Sequence, residues 1–312
     1  MKKALLDHIV CPRSRSPLSV EIEEFDKRRN EIKTGRLISH EGTVYQIANY
    51  IPRFTATDSY VKSFSFQWNI HKSTQYSSKE NPFSENQIRR ISNWDPEKMQ
   101  GKLVLDAGCG SGRFSDVLER WGGEVVSVDL SYAVDSAEAM IGNRKNVHII
   151  QASIFELPFK ESTFDYVWSY GVLMATPNTK KAFNSLVPHV KEGGELAIWI
   201  YSNYNKVPTF FSDVWRKFTL RIPNSLLYKL CYISVPLYYV YKIPGIGHVL
   251  RNIFIIGMRN NWRWRVLETF DWYSPKYQWK HRYPEVFKWM TENNFEVIHM
   301  SEPPIGMVGR KL

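Results

Sequence analysis

The sequence predicts an α/β fold: a mostly parallel sheet with helices on both faces, a small α+β unit before it, and a helical insertion ahead of the last strands. Three observations predict it. Between residues 103 and 201 apolar runs of strand length alternate with stretches of helical period. Gly108, Gly110 and Gly112 join the first such run, ending at Asp106, to "RFSDVLERW", which gives strand, glycine turn and helix. The ending reads as a Pro284-led helix and two strands, "FEVIHM" and "GMVGRK", so the sheet can close. With 312 residues, 43% of them hydrophobic, the chain can bury one large core beside a small one. Its three cysteines, Cys11, Cys109 and Cys231, are too few and scattered for a disulfide framework and fit a reducing cytoplasm. Asp7 and His8 interrupt the first apolar residues, so no signal peptide is expected. The most apolar region, around 226–257, is broken by Lys229, Pro236, Lys242 and Pro244 and falls short of a spanning helix.

Residues 1–54 combine "LLDHIVCPRSRSPLSV", a charged middle and "GTVYQIANYIPRF". This pattern resembles a small zinc-ribbon-like domain that occurs alone or fused beside methyltransferases, opening with C-P-x-C-x-x-P-L and closing with Tyr-x-I-x-x-x-I-P. Cys11 is kept, but Ser14 stands at the second cysteine and no later C-x-x-C follows, so a four-ligand zinc site cannot be assembled. A degenerate, metal-free ribbon is expected.

Residues 101–202 carry the chemistry. A strand that feeds a helix through glycines lets backbone N–H groups approach a ligand, because no Cβ stands in the way. "EVVSVDLS" is a second apolar strand ending in Asp129, where a carboxylate can accept both hydroxyls of a ribose. The spacing is neither G-x-G-x-x-G nor a P-loop. The run Asp106-x-Gly108-x-Gly110-x-Gly112 resembles motif I of the class I S-adenosylmethionine-dependent methyltransferases. "VHIIQASIFELPFKESTFDYVWSYGVLMATPNTKKAFNSLVPHVKEGGELAIWIY" is similar to that family's next strands and helix, in order. The resemblance implies a Rossmann-like, seven-stranded sheet with S-adenosylmethionine as cofactor. It places the methionine moiety at Asp106, Gly108, Gly110 and Gly112, the ribose at Asp129, and the adenine beside Leu130, Ser153 and Ile154. Ser153 stands where the family commonly has an Asp. Tyr170 falls where the family lines the path from cofactor to substrate, while Met174 and Ala175 replace histidines found in many relatives. Cys109 reads as a small residue fitting the turn.

The resemblance also implies that residues 55–100 form a helical cap, in which Gln67 and Trp68 of "FSFQW" suit contact with substrate and a sulfonium cation. Residues 203–266 are an insertion with ten Lys or Arg against one acid, Asp213, so nearly all of the chain's formal +10 sits there. "TFFSDVWRKFTLRI" puts Phe210, Phe211, Val214, Trp215 and Phe218 on one helical face with Arg216, Lys217 and Arg221 off it, the pattern of an interfacial helix. The methyltransferase core resumes at 267–312. There "FDWYSPKYQWKHRY" offers Asp271 and His281 as base components and Tyr273, Tyr277 and Gln278 as acceptor contacts. Three functions follow, in order of preference. The first is methylation of a small-molecule or lipid-linked acceptor, with the insertion as lid or peripheral membrane contact. The second is RNA methylation, and the third is cofactor binding without turnover. The acceptor, the methylated atom and the oligomeric state are not written in the sequence.

Overall fold

The computed structural model describes residues 1–55, 59–76, 82–302 and 304–312. All eleven described strands belong to one sheet, in the order β1 (Leu18–Asp26), β2 (Glu31–Ser39), β3 (Val44–Ala48), β4 (Ile51–Arg53), β7 (Val147–Gln151), β6 (Glu124–Asp129), β5 (Leu103–Ala107), β8 (Phe164–Tyr170), β9 (Val190–Ile200), β11 (Ile305–Lys311), β10 (Phe295–Ser301). Strands β4 to β9 pair in parallel, and β9, β11 and β10 are antiparallel. The seven strands from residue 103 onward follow the expected scheme. The total of seven is corrected to eleven, because Arg53 of β4 pairs with Gln151 of β7 and carries β1 to β4 onto that edge.

The N-terminal residues 1–54 share the main core instead of enclosing a separate one. Ile9, Cys11, Leu37 and Ile47 belong to the apolar cluster that contains Leu105 and Val126. Polar ties reinforce the join: Arg29 pairs with Glu138 at 2.6 Å and Arg53 with Asp135 at 2.6 Å. Cys11 Sγ lies 3.3 Å from the Tyr45 hydroxyl, and Ser14 Oγ donates to Glu41 at 2.6 Å. Among the described residues no cluster of three His, Cys, Asp or Glu could hold a metal.

The chain runs outward from β5 through β6 to β7, then returns beside β5 as β8. Loops therefore diverge between β5 and β8, and a crevice opens at the strand C-termini, where open α/β sheets bind ligands. The helices α3 (Arg113–Arg120), α4 (Ala133–Ile141), α5 (Thr179–Leu186) and α11 (Tyr283–Glu292) cover the sheet, with α1 (Lys62–Ile70) and α2 (Phe83–Ser92) ahead of them. Every residue of β5 is buried, as a parallel strand covered on both faces requires.

The insertion supplies α6 (Lys206–Thr219), α7 (Asn224–Leu230), α8 (Ser234–Val240) and α9 (Ile246–Ile253), followed by α10 (Trp262–Tyr273). Arg216, expected beside the apolar face of an interfacial helix, is turned inward instead. Ser212, Arg216 and Thr219 face inward, with Arg216 donating to the carbonyls of Trp272 and Pro275 at 3.2 and 2.5 Å. Ser212 Oγ accepts from Trp272 Nε1 at 2.9 Å. Phe210 and Phe218 instead point outward, 64% and 59% exposed. Hydrogen bonding of α10 and its exit loop selects the polar face, because those carbonyls need donors once buried. No described helix is long and apolar enough to cross a membrane.

Candidate functional site

A cavity of about 380 Å³ lies at the C-terminal ends of β5, β6 and β8, beneath α1 and α10. The turn after β5 forms its floor. Gly108 has φ +86°, and a Cβ there would lie 2.2 Å from Val172 Cγ2, so no other residue fits without moving that side chain. Gly110, at φ +56°, faces the Trp68 indole, which a Cβ would approach to 3.1 Å. The missing side chain lets the Trp68 indole pack directly against the turn.

Asp129 closes the other side of the floor. Its Oδ2 accepts the Gly110 N–H at 2.9 Å and its Oδ1 accepts the Ser131 N–H and hydroxyl at 2.8 and 2.7 Å. Burial raises its pKa, and those hydrogen bonds oppose the rise. One carboxylate thus fixes the glycine turn and stands on the cavity wall. Leu130 and Ile154 add apolar surface beside it, and Tyr170 stands at the end of β8. Tyr170 stacks on Trp199 at 4.3 Å between ring centres, and Trp199 meets Tyr201 edge-on at 5.5 Å. This aromatic wall climbs toward α10.

Asp271 of α10 reaches the cavity from above. Its Oδ1 accepts the Gln67 Nε2 at 3.1 Å, while Gln67 Oε1 is buried without a partner. Burial raises the Asp271 pKa to about 6, with the Gln67 bond opposing the shift. A carboxylate at that value is mostly ionised at neutral pH and still basic enough to take a proton.

Several expected site residues lie elsewhere. Asp106 is buried below the floor, its Oδ2 accepting from Ser115 Oγ at 2.6 Å, and burial lifts its pKa to about 7. Gly112 precedes α3 and faces Ile141 and Tyr76. Ser153 Oγ is turned back on its own loop to accept the Phe155 N–H at 3.3 Å. Tyr273 is buried, its hydroxyl accepting the Ile255 N–H at 2.8 Å. Tyr277 and Gln278 line a separate, shallower cleft with Asp213 and Lys280. His281 is held outside the cavity, Nδ1 3.0 Å from Glu285 and Nε2 3.0 Å from Thr179 Oγ1. The structure thus brings Gly108, Gly110, Asp129, Leu130, Ile154, Tyr170, Gln67, Trp68 and Asp271 together. It adds Arg113, Tyr201 and Glu268, which sequence reasoning missed. Arg113 was within reach, since it directly follows the glycine turn; Glu268 lies one helical turn before Asp271 and could have been paired with it.

The walls suit S-adenosylmethionine. An ionisable acid is available for a ribose, the turn through Gly108 and Gly110 lies along the cavity where a polar tail would run, and aromatic faces are available for a sulfonium. Gln67 Oε1 and Arg113 Nη1 are buried on the cavity wall without a hydrogen-bond partner, so a polar ligand there would satisfy them.

Residues 105–198 match the family described as "Methyltransferase domain". The chain is 33% identical over 106 residues to the demethylmenaquinone methyltransferase of Thermobifida fusca, covering 33% of this chain and 45% of that protein. It is 27% identical over 139 residues to the ubiquinone biosynthesis O-methyltransferase of Acinetobacter baumannii, covering 42% and 57%. Among solved structures it is similar to magnesium protoporphyrin IX methyltransferase from Synechocystis, with 16% identity, a TM-score of 0.47 and coverage of 80% of this chain and 94% of that one. The chain spans about half the length of the curated relatives it matches.

Proposed function

We propose that this chain, whose residues 105–198 are an S-adenosylmethionine-dependent methyltransferase domain, methylates a hydroxyl on a small, lipid-linked acceptor held beneath the insertion. One observation carries the reading. A single cavity joins the glycine turn and Asp129 at its floor to an ionisable carboxylate, Asp271, at its roof.

The cofactor supplies an electrophilic methyl group when bound. The turn through Gly108 and Gly110 lies along it, Asp129 accepts its ribose hydroxyls, and Leu130 and Ile154 flank the adenine. Asp271 accepts the proton of the acceptor hydroxyl, and Gln67 orients that carboxylate. The wall of Tyr170, Trp199 and Tyr201 keeps water from the reacting atoms and aligns a flat acceptor. His281, held by Thr179 and Glu285, has no part in this chemistry.

The lipid-linked acceptor is supported by the outer face of the insertion. Phe210, Phe218, Leu226, Leu230, Ile233 and Tyr239 are exposed, and Lys206, Lys217, Arg221 and Lys229 are interspersed with them. Apolar side chains among basic ones suit an anionic membrane surface. The inner face of the same region contributes Ile255, Ile256 and Gly257 to the cavity wall. An acceptor lying in a membrane would then pass under one lid. Two of the similar proteins carry names that refer to quinones, which agrees with an acceptor of this kind.

The test is to incubate the protein with methyl-labelled S-adenosylmethionine and, separately, a membrane-lipid extract, total RNA and a polar metabolite fraction. Label should appear in the lipid extract and be lost with Asp271→Asn. Label in RNA, or in polar metabolites alone, would overturn the acceptor assignment.

A further inference from the structure

Arg113 is the first residue of α3, directly after the glycine turn, and it stands on the cavity wall. Its guanidinium carbon lies 4.2 Å from the ring centre of Phe114, 5.3 Å from that of Tyr170 and 5.9 Å from that of Phe83. Three rings hold the guanidinium in place without accepting its protons in ordinary hydrogen bonds. Nη1 is buried and has no partner.

The acids whose charge reaches it make their hydrogen bonds to other groups. Glu268 accepts from Arg259 Nε at 2.6 Å, Asp271 from Gln67, and Asp106 from Ser115. Burial pulls the Arg113 pKa down, yet a guanidinium does not lose its proton in a protein. A permanent charge therefore faces the cavity with Glu268, Asp271 and Asp106 near enough to favour it but with no ion pair made to it among the described residues, and its unpartnered Nη1 favours a ligand that completes the pair.

The chemistry of that ligand follows from the polarity of the floor. Asp129, at the end of β6, takes the nucleoside end of the cofactor, so the amino-acid tail extends along the turn toward α3. S-adenosylmethionine carries two cationic groups, the sulfonium and the ammonium, and a single anionic one. We propose that Arg113 anchors the α-carboxylate of that tail, an inference that rests on the cofactor assignment above. The planar fork of a guanidinium fits a carboxylate through two parallel bonds. Arg259, already neutralised by Glu268, does not compete for it.

The test compares S-adenosylmethionine with its decarboxylated form, which lacks only that carboxylate, by titration calorimetry on the wild type, Arg113→Gln and Arg113→Lys. The wild type should prefer the carboxylated ligand by about 10- to 100-fold, the range of a charge-assisted pair. Arg113→Gln should bind the two ligands within about threefold of each other, and Arg113→Lys should keep part of the preference. A wild type that does not discriminate would overturn the inference. So would an Arg113→Gln that weakens both ligands equally and keeps the preference, since Arg113 would then only shape the wall. If Arg113→Gln does not fold, Arg113→Lys decides: a preference undiminished from wild type overturns the inference, and a reduced one supports it. A wild type that binds neither ligand refutes the cofactor assignment itself.

Discussion

Replacing Phe210 and Phe218 together by Ser tests the membrane-facing reading of the insertion, because both rings already lie in solvent. They are 64% and 59% exposed, and neither belongs to a buried cluster. Fully burying a Phe is worth about 1.5–3 kcal/mol, so transferring the free three-fifths of each ring into lipid contributes roughly 1–2 kcal/mol. The pair then contributes about 2–4 kcal/mol, or roughly a 30- to 1000-fold change in partitioning. Folding stability should change by less than about 1 kcal/mol, as is usual for two exposed positions. Trp215 would be a poorer choice, because its Nε1 donates to the Ile253 carbonyl at 2.9 Å and ties α6 to α9. The assay is cosedimentation with phosphatidylglycerol vesicles at low and high salt. Wild type should sediment in both, more weakly at high salt as Lys206, Lys217 and Arg221 are screened. The double variant should stay in the supernatant. Equal sedimentation of the two proteins, with identical melting, would refute the reasoning and leave the aromatic face without a role in lipid contact.

Asp271→Asn should lower turnover by about 10²- to 10⁴-fold, the usual contribution of a general base, with cofactor affinity preserved. Because Asp271 must be ionised to act and its pKa is raised to about 6, wild-type turnover should rise with pH through 6 and level off above 7; the Asn variant should lose that step. Asp106, with a folded pKa of about 7 against an unfolded value near 3.9, favours folding when protonated. Its contribution is present at low pH and fades as pH rises from about 4 to 7, so denaturant titrations of Asp106→Asn should show a flatter stability profile across that window. Arg216→Met leaves the Trp272 and Pro275 carbonyls without donors and should cost about 2–4 kcal/mol in chemical denaturation.

What the sequence makes legible here is what the backbone demands. Gly108 and Gly110 are readable because their left-handed φ and the close approach of Val172 and Trp68 exclude side chains. Asp129 is readable because an acid at the end of an apolar strand has few structural uses. The remaining features depend on contacts between distant segments. An apolar stripe tells which side of α6 is greasy, but the direction it faces is decided by the carbonyls of Trp272 and Pro275, more than fifty residues away, which draw Arg216 inward. The eleven-stranded sheet depends on a single pairing of Arg53 with Gln151. His281 looked like a base until Thr179, from α5, occupied its Nε2. Arg113 was overlooked because an arginine at the start of an amphipathic helix ordinarily points to solvent, and only the packing of Phe83 and Tyr170 turns it into the cavity.

The most direct test of the account is calorimetric titration of S-adenosylmethionine into the wild type and Asp129→Ala. Wild type should bind one equivalent, and the variant should bind about 10- to 100-fold more weakly, since it loses a charge-assisted contact to the ribose together with the anchor of Gly110. Equal affinity in the two proteins, or no binding by the wild type, would contradict the claim that this floor is a cofactor site.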